Sequence, residues 1–175
     1  EVLIEHSGIP TVPAIVMARE ALRELGLYGK VSLIASGGIR HGADAAKALA
    51  LGADAVAIGI GALIALNCNK EIPESNFAEE IGVEAGFCHH CHTGKCPVGI
   101  ATQDPLLTRR LDPDEGAERV ANYINSMTME MTLLTRSLGK SDVHSLEPED
   151  LAALTLEASA MARIPLVGTN KIFGE

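Results

Sequence analysis

The sequence predicts an α/β fold with a parallel sheet, and three observations carry the prediction. Two short apolar runs, residues 31–35 and 55–58, each lead into glycines. A stretch of helical periodicity precedes each run, giving the order helix, strand, helix, strand. That is the grammar of βα units, in which strands are covered on both faces. Composition agrees: Ala, Leu and Gly are the commonest residues, while Trp is absent and only two Tyr and three Phe occur, as suits helices packed closely on parallel strands.

Residues 1–10 read as a short segment and a turn, with Ser7, Gly8 and Pro10 as breakers. Thr11 is placed as the cap of a first helix with Pro13 in its first turn. Ala14, Met17, Ala18, Ala21, Leu22 and Leu25 supply its apolar stripe and Gly26 its end. After the first strand, a helix from 42 or 43 to 51 carries Ala46, Leu49 and Ala50 and stops at Gly52. Beyond the second strand, an apolar helix over 62–66 leads to Cys68. Residues 69–87, polar and acidic with Pro73, read as an insertion or surface excursion.

Asp112 and Pro113 then open a long helix, Asp112 as its cap and Pro113 in its first turn. Val120, Ile124, Met127, Met131, Leu134 and Leu138 step along one face, and Gly139 terminates it. The methionines in that stripe read as core, not as an adaptable binding groove. A last short helix is placed from near Pro148 through Leu156, before an irregular tail with Pro165 and Gly168. No internal repeat stands out.

A chain of 175 residues holds one domain or part of one. Glu1 at the start, with no basic flank or signal-type apolar core, reads as a fragment or a processed chain. A net charge of −9 and a pI near 5.1 argue against nucleic acid, whose phosphates demand a basic surface. No window reaches the ~18 apolar residues of a membrane span. An acidic cytoplasmic protein is the plain expectation.

Two glycine clusters follow the strands: Ser36-Gly37-Gly38 after the first and Gly59-Ile60-Gly61 after the second. Parallel strands send their carboxyl ends to the same side, so the clusters should lie together. Backbone amides unobstructed by a Cβ, backed by the positive end of the following helix, suit a phosphate. Arg40 and His41 could add charge, though solvated loop residues are the plainer reading, and Lys47 reads as a surface residue.

All four cysteines are Cys68 and the three in Cys88-His89-His90-Cys91-His92-Thr93-Gly94-Lys95-Cys96, which Pro97 follows. Thiolates converging from a short glycine-permissive loop suit a soft metal in a reduced compartment. Two metals compete. Cys88, Cys91 and Cys96 with one of His89, His90 or His92 could make a structural zinc site. A proline directly after the last cysteine is a feature of many iron–sulfur loops.

The stretch Ser32-Leu33-Ile34-Ala35-Ser36-Gly37-Gly38-Ile39-Arg40, with Ala48-Leu49-Ala50-Leu51-Gly52-Ala53-Asp54-Ala55-Val56-Ala57-Ile58-Gly59, resembles the last two strands of FMN-dependent or phosphate-binding (β/α)8 barrels. The run Cys91-His92-Thr93-Gly94-Lys95-Cys96-Pro97-Val98-Gly99-Ile100-Ala101-Thr102-Gln103-Asp104-Pro105 is similar to the iron–sulfur loop of the glutamate synthase large subunit. This resemblance extends from about Ser7 to about Leu154. It implies the C-terminal portion of a TIM barrel, with βα units over 1–67, an insertion and cluster loop over 68–111, and a helical C-terminal extension over 112–175.

The same resemblance implies FMN, its phosphate held by Ser36, Gly37, Gly38, Gly59 and Gly61, with Ile60 between the last two. Cys91 and Cys96 carry over as cluster ligands, the family keeping four residues between its last two. Either Cys68 or Cys88 completes a 3Fe-4S cluster, or all four cysteines bind 4Fe-4S. Electrons from a donor protein or reductase subunit reach FMN through the cluster. FMN then reduces 2-iminoglutarate, formed from 2-oxoglutarate and ammonia or glutamine-derived nitrogen, to glutamate. A complete barrel needs about 250 residues, so the substrate-binding segments belong elsewhere in the same or a partner chain. An electron relay or zinc-stabilised module without flavin, and a related amine-transferring flavoenzyme, are the alternatives.

Overall fold

In a computed structural model the chain is described at residues 7–68, 88 and 90–174. The expected opening segment before residue 7, the excursion at 69–87 and His89 lie outside them. The described residues form a mixed α/β structure with two compact units, Glu1–Ile58 with Ser126–Glu175, and Gly59–Asn125.

In the first unit, helix α1 (Thr11–Glu24) starts one residue earlier than the cap reading required. Thr11 is already helical, and its hydroxyl donates to the Gly37 carbonyl at 3.0 Å. The buried face of α1 is Ile15, Val16 and Arg19, whereas Met17 and Leu25 are 54% and 71% exposed. A charged residue causes this rotation of the expected stripe. Arg19 is only 5% exposed, its guanidinium donates to the Leu51 carbonyl at 2.9 Å, and its stem lies over Gly52, where a Cβ would come within 2.5 Å of Arg19 Cδ. Aliphatic stems with satisfied heads belong inside as readily as apolar residues do.

Strands β1 (Ile34–Ser36) and β2 (Ala55–Ala57) pair in parallel, Ile34 with Ala55, Ala35 with Val56 and Ser36 with Ala57. Parallel pairing is as expected, but β1 begins later than residue 31, since Val31 instead bridges to Tyr28. Full cover on both faces is not met among the described residues. Ala35 is buried and Val56 half-buried on one face, while Ser36, Ala55 and Ala57 on the other are exposed, with Ile34 61% exposed. Helix α2 (Gly42–Ala50) follows the expectation closely, and Gly52 after it takes φ +116°. Its Ala46 and Ala50 form a core with Leu146, against which Met131, Val143 and Leu151 pack.

The second unit holds α3 (Ile60–Ala65), a 3-10 turn at Cys91–Thr93, and the short α4 (Pro105–Thr108), a single turn too brief to show a periodicity in the sequence. Asp104 caps α4 by accepting from the Leu106 amide at 2.8 Å. The long helix α5 (Pro113–Ser137) starts as predicted, because Asp112 accepts from the amides of Asp114 and Glu115 at 3.0 and 3.2 Å. Met127 is buried and Val120 and Met131 half-buried, as a core stripe requires, but Ile124, Leu134 and Leu138 are exposed. Gly139 follows at φ +74°.

Where a helix is expected from near Pro148 through Leu156 the chain makes one 3-10 turn, Pro148–Asp150, preceded by another at Val143–Ser145, and helix α6 (Leu156–Ala162) begins where the prediction ends. Asp150 is the reason. Its carboxylate accepts from the Glu147 amide at 2.8 Å and from Lys140 Nζ at 2.6 Å, which fixes a turn, and Leu151 then leaves in extended geometry. Thr155 caps α6 through the Ala158 amide at 3.1 Å. Among the described residues no helix is long and apolar enough to cross a membrane.

Candidate functional site

At the carboxyl end of β1, Gly37 and Gly38 take φ +110° and +73°, the left-handed region that favours glycine. A Cβ on Gly38 would meet nothing within 4 Å, so its backbone is open to close approach. Around these glycines the first unit forms a pocket of about 330 Å³ whose lining includes Thr11, Asp44, Lys47 and Met161. Gly59 caps α3 without a side-chain bond and also faces open space at its Cβ position. Ile60 and Gly61 follow in the first turn of α3. Ser36, Gly37 and Gly38 belong to the first unit and Gly59, Ile60 and Gly61 to the second. The in-register pairing of Ser36 with Ala57 sets the two strand ends from which these clusters depart.

The positive end of α2 is already occupied. The Gly42 amide donates to Glu130 Oε2 at 2.7 Å and the Arg40 amide to Asp44 Oδ2 at 3.1 Å. His41 Nε2 lies 3.5 Å from Asp44 and Nδ1 3.9 Å from Glu130, and Arg40 Nε lies 3.9 Å from Asp44. Carboxylates thus sit where a phosphate would gain from the helix end. Glu130, 88 residues from Gly42 in sequence, gave no sequence signal for this role. Only the tertiary contact reveals it.

The four cysteines all fall in the second unit. Cys68 follows α3 through a tight left-handed turn at Asn67, φ +73°, with its amide bonded to Leu63 O at 3.0 Å. Cys68 and Cys88 are half-buried, Cys91 is exposed and Cys96 buried, and none is in a disulfide. Burial pushes the Cys68 thiol up, and the charges of Cys91, Cys96 and Cys88 push it further. A cation among them would reverse that penalty, as thiolate ligation requires. Among the described residues no group of three or more metal-binding side chains is drawn together at ligating range. The soft, sulfur-only donor set fits iron–sulfur chemistry and also zinc.

Bracing of this loop comes from residues other than its cysteines. The Thr93 hydroxyl donates to His90 O at 2.8 Å, and Gly94 closes the 3-10 turn at φ +74°. Buried Thr102 donates to Gly94 O at 2.5 Å, and Arg110 Nη1 to Pro97 O at 2.9 Å. Gly99 sits where a Cβ would lie 2.5 Å from Leu107 O. Cys96, Pro97, Val98 and Gly99 are consequently buried, while Cys91, His92 and Lys95 face outward.

Residues 1–73 and 76–141 match the family described as a conserved region in glutamate synthase. A glutamate synthase large subunit-like protein from Rhizobium meliloti is 52% identical over 170 residues, 97% of this chain and 38% of the relative. The archaeal glutamate synthase [NADPH] of Methanocaldococcus jannaschii is 45% identical over 83% of this chain and 25% of its own length. An archaeal-type glutamate synthase [NADPH] of Thermotoga neapolitana is 42% identical over 81% of this chain, again 25% of the relative. The chain thus spans between a quarter and two fifths of the length of these relatives. With a family match covering most of its residues and a relative identical at half of them, the chain belongs to the glutamate synthase family.

Proposed function

We propose that this chain is the part of a glutamate synthase-like oxidoreductase that holds an iron–sulfur cluster beside FMN. One observation carries the reading: all four cysteines, none in a disulfide, belong to a single compact unit, in a chain of this family. In this proposal β1 and β2 are the last two strands of a (β/α)8 barrel. Residues 1–67 supply its final βα units, 68–111 the insertion and cluster loop, and 112–175 a helical extension. The exposed face of Ile34, Ser36, Ala55 and Ala57 supports it, because closure of a barrel would cover such a face.

Cys91 and Cys96 would hold iron, together with Cys68, Cys88 or both. Thr102 and Arg110 keep their loop in place through Gly94 and Pro97. Ser36, Gly37, Gly38, Gly59, Ile60 and Gly61 would hold the flavin phosphate by backbone amides. The end of α2 contributes less, since Glu130 and Asp44 occupy it. When bound, the two cofactors supply electrons and hydride for reducing 2-iminoglutarate, formed from 2-oxoglutarate and ammonia, to glutamate. Substrate contacts come from the remainder of the barrel. The NADPH in the relatives' names makes that the donor to test first, and reduced thiols suit the cytoplasm.

The test uses the full-length protein purified without oxygen. Flavin absorbance near ~450 nm over a broad iron–sulfur background, with glutamate formed from 2-oxoglutarate, ammonia and NADPH, is the expected result. A cluster without flavin would favour a relay, and a colourless zinc protein would sink both readings. Cys91→Ser and Cys96→Ser are expected to abolish iron binding. Iron content and the EPR signal of Cys68→Ser and Cys88→Ser then separate a three-iron from a four-iron cluster.

A further inference from the structure

We infer that the first unit carries a separate binding pocket for a free α-amino acid, at the end of the sheet where β2 begins. It stands apart from the glycine loops. Gly52, Ala53 and Asp54, which lead into β2, line it, whereas Gly37 and Gly38 leave the opposite end of β1. The cavity measures about 530 Å³, within the roughly 300–1,000 Å³ of small-molecule sites.

Its charges come from different elements and are of both signs. Arg19 and Arg23 from α1 and Arg163 just after α6 line the pocket. Glu20 Oε1 accepts from Arg19 at 2.9 Å and from Arg23 at 3.2 Å, and the charge of Arg163 also acts on Glu20. Among the described residues Glu20 alone answers Arg19 and Arg23, and Asp54, which also lines the pocket, accepts from the Leu33 amide at 2.7 Å, so the guanidiniums keep donors to spare. Arg23 is held in place over the Tyr28 ring, 5.0 Å from its centre. Arg163 closes α6 in the left-handed conformation, φ +51°, a common helix stop that turns the chain out of the helix at the pocket wall.

The turn Pro148–Asp150 supplies the other sign. Glu147 and Glu149 line the same cavity, with His144 beside them. Glu147 shares Lys140, at 3.6 Å, and Glu149 has no ion pair among the described residues. A bare anion would gain from the arginines and lose to these glutamates. A molecule bearing a carboxylate and an ammonium group satisfies both sets, which is the definition of an amino-acid zwitterion.

Calorimetric titration of the full-length protein with L-glutamine, L-glutamate, glycine and inorganic phosphate tests the assignment. At least one amino acid is expected to bind, with affinity falling about tenfold or more in Arg23→Ala, Arg163→Ala and Glu149→Gln, as loss of a charge-assisted bond predicts. Ligand-free melting curves should match the wild type. Should Arg23→Ala alter the melt, the exposed Arg163 and Glu149 variants decide. The assignment is overturned if no amino acid binds, if binding is unchanged in these variants, or if phosphate binds as tightly and Glu149→Gln has no effect. Because binding at a catalytic site would not respond to these three residues, the outcome is independent of the flavin and cluster reading.

Discussion

Thr102 shows how much of the cysteine loop rests on a side chain that binds nothing. Its hydroxyl donates to Gly94 O and accepts from the Asp104 amide at 3.1 Å, joining the tip of the loop to the cap of α4. Thr102→Val keeps the shape and removes both bonds. Gly94 and Asp104 are exposed, so water can take up the freed carbonyl and amide, and the expected cost is the net value of the lost bonds, about 0.5–1.5 kcal/mol each. In the full-length protein this should appear as faster iron loss to a chelator, with Cys91 and Cys96 untouched. Sequence spacing singled out the cysteines because metal ligands must cluster. It could not single out Thr102 or Arg110, whose partners are carbonyls, and carbonyls occur at every residue.

At the scale of elements, Gly42 is the clearest dependence. A Cβ there would meet Met127 O and come within 2.8 Å of Glu130 Cβ, so α2 and α5 approach as closely as they do only because the side chain is missing. Gly42→Ala should raise helix propensity by about 1 kcal/mol. Overpacking, at about 1–3 kcal/mol, should outweigh it, and the urea midpoint of the full-length protein should fall. A rise would mean that α5 retreats freely.

The turn before α6 responds to pH. Hydrogen bonding to Lys140 holds Asp150 below its ordinary 3.8, and hydrogen bonding to Asp150 holds Lys140 above its ordinary 10.5. The carboxylate's contribution is therefore whole above 3.8 and is lost as pH falls through its lower folded value. The ammonium's is whole below 10.5 and is lost as pH rises through its higher one. Hydrogen exchange at the Glu147 amide, corrected for its intrinsic pH dependence, should show reduced protection in the acid limb. Lys140→Met should flatten that response.

For the whole molecule, the uncovered sheet face is the decisive feature. If β1 and β2 close into a barrel, Ile34 becomes interior. Ile34→Asp should then cost the full-length protein about 3–5 kcal/mol, the range for a buried unpaired charge. A surface position would change by no more than about 0.5 kcal/mol. Denaturant titration of that variant distinguishes the two.

The sequence by itself determined the βα order, the parallel pairing, the glycine stops at Gly52 and Gly139, the Asp112 cap and the family. These depend on local periodicity, backbone permissiveness and motif spacing, all of which are written in neighbouring residues. Only the tertiary structure decided which face of α1 is buried, that Asp150 turns the chain where a helix was expected, and that Glu130 takes the end of α2. Arg19 reaches Leu51 across 32 residues, Lys140 reaches Asp150 across 10, and Gly42 reaches Glu130 across 88. A charged side chain that buries its stem against a distant carbonyl, or a carboxylate that caps a distant amide, follows no period. Its position is set by which surfaces meet when the chain packs.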